Sequence, residues 1–341
     1  MARHRQAFLQ SVGDVLDRGS LLLGPELAAF ERAFAQFAGG AECVGVASGA
    51  SALQLALAAL GVGPGDEVIV PAMTAVPTAS AVCGVGATPV FADVHLDTAA
   101  IDPMAARAAV NSNTRAVIGV HLYGRPFDVA ALNAAVGVPV VEDCAQSHGA
   151  TSGVAGVAAA YSFYPTKNLG GIGDGGAVVT DDRALAARVR RLRAHGASEQ
   201  YVHVEISQNH RLSEIEAAWL QLTLPFVAAD NARRRTIVAA YRSAAPHLAW
   251  QADHPRHVYH LAVVRATDRG ALRGHLEAHG VGTAVHYPLA LTQQPAYTHF
   301  ATTPCPNAEA WSAGCVSVPC FSELTDAEVE LVCNALRGAP A

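Results

Sequence analysis

Between residues 44 and 180 the sequence alternates short, continuously apolar runs with Ala- and Leu-rich stretches of helical length. The runs at 44–46, 67–71, 88–94, 116–122, 138–141, 161–164 and 177–180 read as strands. The stretches at 51–60, 78–85, 103–110, 129–136 and 181–194 read as helices. A strand that is apolar on both faces must be covered on both, and a helix between successive strands permits parallel pairing. The pattern predicts an α/β fold: a mainly parallel sheet with helices on both faces. Ligands of such sheets sit at the carboxyl ends of the strands, and chemistry is sought there. The Arg-rich helix at 181–194 is expected to turn its charges to solvent.

The flanks read differently. Residues 1–38 are helical in pattern, with Leu27, Phe30, Phe34 and Phe37 recurring at intervals of three and four after a Gly24, Pro25 start. Residues 213–245 read as one or two helices broken at Pro225. Beyond them come a strand at 258–264, a helix at 271–279 ending at Gly280, a strand at 281–286 and a closing helix at 325–336. The expected division is an N-terminal arm or helix over 1–20, a large domain over 21–228 and a smaller α+β domain over 229–341.

Composition narrows the function. With 51% apolar and 15% charged residues the chain is not disordered. A net charge of −6 argues against a nucleic-acid partner but leaves room for one local anion site. No apolar run reaches the ~18–20 residues of a membrane span, and the first residues have no signal-peptide core. The seven cysteines are odd in number and contain no C-x-x-C pair, which points to a reducing compartment, the cytoplasm. The fifteen histidines include no His-Glu-x-x-His, and no metal site is expected.

Three segments carry chemistry. Ser48-Gly49-Ala50-Ser51 follows a strand and opens a helix, where first-turn N–H groups lack helical partners; it is either a plain N-cap or an anion seat. The apolar strand at 138–141 runs into Glu142 and Asp143. An acid at that edge caps, or binds a metal, a ribose or a protonated ring nitrogen. Lys167 directly follows the strand ending at Tyr164 and precedes the glycine-rich turn 170–176. A lysine held partly out of water has a lowered pKa, which suits Schiff-base chemistry. No glycine cluster fits the dinucleotide or P-loop fingerprints, which excludes a nicotinamide oxidoreductase. An anion seat, a strand-end acid and a strand-end lysine are the parts that pyridoxal phosphate needs.

In that order, these segments resemble the DegT/DnrJ/StrS sugar aminotransferases, pyridoxal-phosphate enzymes of fold-type I. The resemblance covers about residues 19–335 and rests on Gly24-Pro-Glu-Leu, Gly65-Asp-Glu-Val-Ile-Val-Pro71, Val120-His-Leu-Tyr-Gly124, Glu142-Asp-Cys-Ala-Gln-Ser-His-Gly149, Ser162-Phe-Tyr-Pro-Thr-Lys-Asn168, Asn209-His-Arg-Leu-Ser213 and His286-Tyr-Pro288. It makes 21–228 the cofactor-binding domain. It makes Lys167 the Schiff-base lysine and proton shuttle, and Asp143 the partner of the pyridine nitrogen. Gln146 contacts the cofactor ring or its phenolic oxygen, and Ser162 with Ser48, Gly49, Ala50 and Ser51 surrounds its phosphate. Asn209 reaches the phosphate of a neighbouring subunit, so the active sites of a homodimer are shared. Tyr123, Arg211, His286 and Tyr287 fall on the substrate side, Arg211 equally as a structural ion pair. The implied reaction moves an amino group from an amino acid, glutamate or glutamine, to a keto-sugar, nucleotide-linked, or a keto-cyclitol, through pyridoxamine phosphate. Such transfers serve sugar, secondary-metabolite or polysaccharide biosynthesis.

The sequence departs from the family pattern at four positions. Ala50 lacks the phosphate-binding hydroxyl, Ala75 replaces the aromatic that stacks on the ring, Ser207 stands for a glycine, and Thr292 stands for a second histidine. Two other readings therefore stand beside transamination. One is a sugar dehydratase-like enzyme, in which histidine replaces the lysine, so Lys167 argues against it; the other, which the changes at Ala50 and Ala75 suggest, is a catalytically idle, cofactor-binding regulatory homologue.

Overall fold

The computed structural model describes residues 4–151 and 153–341; residues 1–3 of the expected arm lie outside. The chain opens with α1 (Arg5–Arg18) and α2 (Pro25–Ala38). It then alternates through β1 (Glu42–Val46), α3 (Gly49–Ala59), β2 (Glu67–Pro71), α4 (Val76–Gly84), β3 (Thr88–Ala92), α5 (Pro103–Ala109), β4 (Thr114–Val120), α6 (Val129–Val136), β5 (Val140–Asp143), β6 (Ala158–Ser162) and β7 (Gly176–Thr180). Next come α7 (Arg183–Leu192), a small hairpin of β8 (Ala197–Glu199) and β9 (Val202–His203), α8 (Glu214–Thr223) and α9 (Val227–Ala244). The remainder is β10 (Ala249–Trp250), β11 (Ala262–Arg265), α10 (Arg269–Ala278), α11 (Pro306–Gly314), β12 (Cys315–Val318) and α12 (Asp326–Arg337).

Seven strands form the main sheet in the order β1-β7-β6-β5-β4-β2-β3. Pairing is parallel from β3 through β6, while β7 is antiparallel to both its neighbours. Six strands therefore point one way and β7 alone runs back, so the carboxyl ends of β1, β2, β4, β5 and β6 share one edge. Apolar residues fill both faces. Val44, Val70, Ile118 and Val141 pack with Leu53 and Leu57 of α3, while Tyr161, Phe163 and Ala177 pack with Phe30 and Phe34 of α2 and Leu220 of α8. A second core lies where Ile237, Val238 and Tyr241 of α9, Leu272 of α10 and Leu336 of α12 meet Val264 and Val316 on the three-stranded sheet β10-β11-β12.

Two expectations are corrected. Residues 281–286 form no strand; Ala284 makes a single bridge to Ser317, after which Tyr287 turns at φ 68° ahead of Pro288 and the ladder cannot continue. The α7 arginines are also not simply solvated. Arg188 and Arg191 share Glu205, Arg190 holds Glu42, and Arg193 reaches Glu31 at 2.6 Å from a mostly buried position. The Pro225 break is a short 3₁₀ turn, Leu224–Phe226, between α8 and α9.

The entry to α2 shows how distant sequence sets local structure. Pro25 removes one N–H that would lack a partner at a helix start. The carboxylate of Glu214, fully buried at the start of α8, accepts the N–H groups of Gly24, Glu26 and Leu27 at 2.9–3.0 Å. Three donors around one carboxylate at a helix N-terminus satisfy both charges. Glu214→Ala is expected to lower the unfolding free energy by about 3 kcal/mol, read from the denaturant midpoint at constant m-value; a loss below about 1 kcal/mol would show that water replaces the carboxylate.

Candidate active site

The shared strand edge encloses a cavity of about 390 Å³ lined by Ser48, Gly49, Ala50, Ala75, Asp143, Gln146, Ser162 and Lys167, among others. At one end lies the start of α3. Ser48 caps it, accepting the Ser51 N–H at 3.1 Å, and no residue takes the N–H groups of Gly49 and Ala50 among the described residues. These donors and the helix dipole make an anion seat. Two close approaches require glycine there: a Cβ on Gly49 would lie 2.6 Å from the Ser162 Cβ, and one on Gly176 would lie 2.3 Å from the Ser48 carbonyl oxygen. Ser51 does not line the cavity; its hydroxyl is held between Ser48 and Nδ1 of His210, each at 3.0 Å.

Asp143 ends β5 with its carboxylate 6% exposed. Oδ1 accepts the Ala145 N–H at 3.1 Å, and Oδ2 accepts the Thr78 hydroxyl at 3.0 Å. Burial pushes its pKa up, while these two donors and the charge of Lys167 pull it back. Each carboxylate oxygen keeps a free lone pair, so a further donor can be bound. Thr78, on α4, was not evident from the sequence because it lies 65 residues from its partner.

Lys167 stands five residues beyond the end of β6, its N–H bonded to the Tyr164 carbonyl at 2.8 Å. Burial lowers the ammonium pKa; Asp143 opposes that shift. Its side chain lines the first cavity and also a second, of about 900 Å³, whose walls include Tyr164, Arg234, His260, His286, Tyr287 and Ser317. The lysine thus forms part of the partition between two chambers.

The other expected residues divide. Gln146 lines the first cavity with both polar ends engaged: Oε1 accepts the Tyr123 N–H at 2.5 Å, and Nε2 donates to the Tyr287 hydroxyl at 2.7 Å. His286 and Tyr287 line the second cavity, the imidazole bonded to Ser317 at 2.8 Å and the phenol pushed up to about 12 by burial. Tyr123 lies apart from these. Its ring is fully buried, lies nearly parallel to Tyr287 at 6.1 Å, and lines neither cavity. Its hydroxyl donates to the His286 carbonyl at 3.4 Å. Asn209 and Arg211 also lie outside both cavities; Arg211 Nε donates to Asn209 Oδ1 at 2.9 Å, and Arg211 has no ion pair among the described residues.

His148 is a feature the sequence did not single out as functional. It is buried among Phe34, Tyr161 and Phe163, with neither ring nitrogen bonded, and burial with the charge of Lys167 lowers its pKa to about 3. The imidazole there is neutral at physiological pH.

The family model for the DegT/DnrJ/EryC1/StrS aminotransferases matches residues 3–337. This chain belongs to that family. It is 42% identical to the dTDP-3-amino-3,4,6-trideoxy-alpha-D-glucose transaminase of Streptomyces venezuelae, over 96% of this chain and 90% of the relative. It is 38% identical to the dTDP-3-amino-3,6-dideoxy-alpha-D-galactopyranose transaminase of Aneurinibacillus thermoaerophilus, over 98% and 96%. The crystal structure of S. venezuelae DesV in complex with a ketimine intermediate aligns with a TM-score of 0.93 at 41% identity, covering 98% of this chain and 95% of that one. The protein is a pyridoxal-phosphate-dependent aminotransferase of this family. The first cavity fits that cofactor: unpartnered helix N–H groups suit a phosphate, a buried acid suits a ring nitrogen, and a desolvated amine suits an aldehyde.

The turn that follows Lys167 is gripped by α8. Trp219 Nε1 donates to the Gly170 carbonyl and Glu216 Oε1 accepts the Ile172 N–H, each at 2.9 Å. Burial, with Asp174 adding to it, pushes Glu216 up to about 7 from an ordinary 4.5. The folded protein then retains a proton that the unfolded chain has released, so this group's stabilisation is full below pH 4.5 and is lost as pH rises through 7. Between about pH 5 and pH 8 the wild type should lose roughly 1–3 kcal/mol relative to Glu216→Gln. Paired denaturation curves across that range check it; a constant gap contradicts it.

Proposed function

We propose that this enzyme transfers the amino group of glutamate or glutamine to the keto carbon of a nucleotide-linked sugar, for amino-sugar biosynthesis. The observation that carries this reading is the position of Lys167 between two chambers, one fitted to the cofactor and the other roomy enough for a sugar nucleotide. Relatives named for dTDP-amino-sugar formation support the acceptor class. When bound, pyridoxal phosphate supplies an aldehyde that bonds amines and a ring that takes up the electrons left by a departing proton.

The residues then have defined tasks. Lys167 Nζ, kept more of the time as the free amine by desolvation, would bond the aldehyde at rest and would give and take the proton at the reacting carbon. Asp143, fixed by Thr78 and the Ala145 N–H, holds its charge against the pyridine nitrogen. Gln146 and Tyr287 brace the ring side of the partition. Ser162 and the N–H groups of Gly49 and Ala50 take the phosphate. Ala75 and Ala145 line the chamber, and Tyr164 is the aromatic among its described lining residues. Replacing Asp143 by Ala should cut kcat by about 10²–10³-fold while the fold persists; a change within threefold would remove Asp143 from this role.

We infer further that the working form is a cytoplasmic homodimer, folding as the arm, large and small domains read from the sequence. The first cavity contains no cationic side chain other than Lys167 to meet a phosphate, and Asn209 is exposed on its own chain. Leu21, Leu22, Leu23, Val202, Val204 and Ile206 are apolar and exposed, a surface suited to a second copy. Seven free cysteines suit a reducing compartment. If Asn209 acts across subunits, mixing inactive Lys167→Ala with impaired Asn209→Ala should restore about one quarter of wild-type activity, since half the dimers carry one intact site. No recovery after verified subunit exchange would place Asn209 outside the partner's site.

A further inference from the structure

Asn168 follows Lys167, and Asn231 lies on α9. Together they form a hydrogen-bond chain whose direction is set by backbone carbonyls, which can only accept. Asn231 Nδ2 donates to the His148 carbonyl at 2.8 Å; Asn168 Nδ2 donates to the Val258 carbonyl at 3.0 Å and to Asn231 Oδ1 at 2.7 Å. Both amides are thereby oriented without ambiguity. Asn168 is left presenting Oδ1 to Nδ1 of His260 at 3.2 Å. An amide oxygen donates nothing, so Nδ1 must carry the proton.

The ring itself is neutral. Burial lowers its pKa well below the ordinary value, and Lys167 and Arg234 add to the effect. A neutral imidazole with its proton on Nδ1 has a bare lone pair on Nε2. That nitrogen has no partner among the described residues and is not among the sealed, unpartnered atoms. His260 lines the 900 Å³ cavity that Lys167 also lines. Among the residues that line this cavity with Lys167, His260 therefore carries an acceptor-only nitrogen of fixed tautomer.

We propose that Nε2 of His260 accepts a hydrogen bond from a ring hydroxyl of the keto-sugar, making it a specificity-determining residue for the acceptor. This rests on the sugar reading above. A hydroxyl donates to a bare lone pair, whereas the side-chain carboxylate of glutamate has nothing to donate. With glutamate as the amino donor, the contact should thus belong to one half-reaction and not to the other.

The test measures the two half-reactions separately on the holoenzyme. Glutamate reports the first spectroscopically; the second is run in reverse with dTDP-3-amino-3,6-dideoxygalactose and with dTDP-3-amino-3,4,6-trideoxyglucose, which lacks the C4 hydroxyl. In His260→Phe, the glutamate half-reaction should stay within twofold of wild type, showing an intact fold and cofactor site. Its kcat/KM for the dideoxy amino sugar should fall about tenfold or more, mainly through KM. His260→Gln, which keeps an acceptor oxygen, should recover part of the loss. The trideoxy sugar should narrow the gap between wild type and His260→Phe if the C4 hydroxyl is the donor, and leave it unchanged if the C2 hydroxyl is; either result supports the contact. Equal losses in both half-reactions, or no loss in either, would overturn the proposal. A wild type that reacts with glutamate but with neither amino sugar would instead overturn the substrate reading, and this inference with it.

Discussion

An amine and a carboxylate, both withdrawn from water at one edge of the sheet, set the terms for everything around them. Neither is stable there as a bare charge. Asp143 is supported by a threonine hydroxyl and a backbone N–H, and Lys167 by the field of Asp143. Desolvation moves the two pKa values toward one another. The result is a lysine readier to give up its proton and an acid still able to take another donor. Parallel strands bring this about geometrically, because consecutive strands end on the same side and their end residues meet there.

Around that pair the protein places groups that hold the walls of the two cavities and the helices behind them. Glu216 and Trp219 of α8 secure the glycine turn after Lys167. Tyr123 backs Tyr287, which is tied through Gln146 to the cofactor chamber. Glu214 joins the start of α2 to the start of α8, and Arg193 joins the end of α7 to α2 through Glu31. Glu214, Arg193 and Glu31 are charges given donors or counter-charges, which keeps their cost low and their geometry narrow.

The legible part of the sequence was the part written locally. Seven apolar runs in the first two hundred residues became the seven strands of the sheet, since a doubly covered strand needs an uninterrupted apolar run. Asp143, Ser48 and Gly49 were visible because each adjoins a strand end or a helix start, and Lys167 because it stands between a strand and a glycine-rich turn. What depends on distant partners was not. Nothing beside Thr78 announces its bond to Asp143, and nothing around the arginines of α7 announces Glu205, Glu42 and Glu31. Strand β12 went unread because Cys315-Val-Ser-Val318 is short and follows a helix directly. The turn at Tyr123, φ 62°, and the near-parallel stacking of its ring on Tyr287 are likewise set by residues distant in sequence. The tautomer of His260 is further still from the sequence, resting on residues 168, 231 and 258 meeting in space.

The account depends on one amine being the residue that bonds the cofactor. Borohydride reduction of the holoenzyme followed by peptide mapping tests this directly. A single cofactor adduct on the side chain of Lys167 is the predicted result. An adduct on any other residue, or none from enzyme shown to hold stoichiometric cofactor, would contradict it.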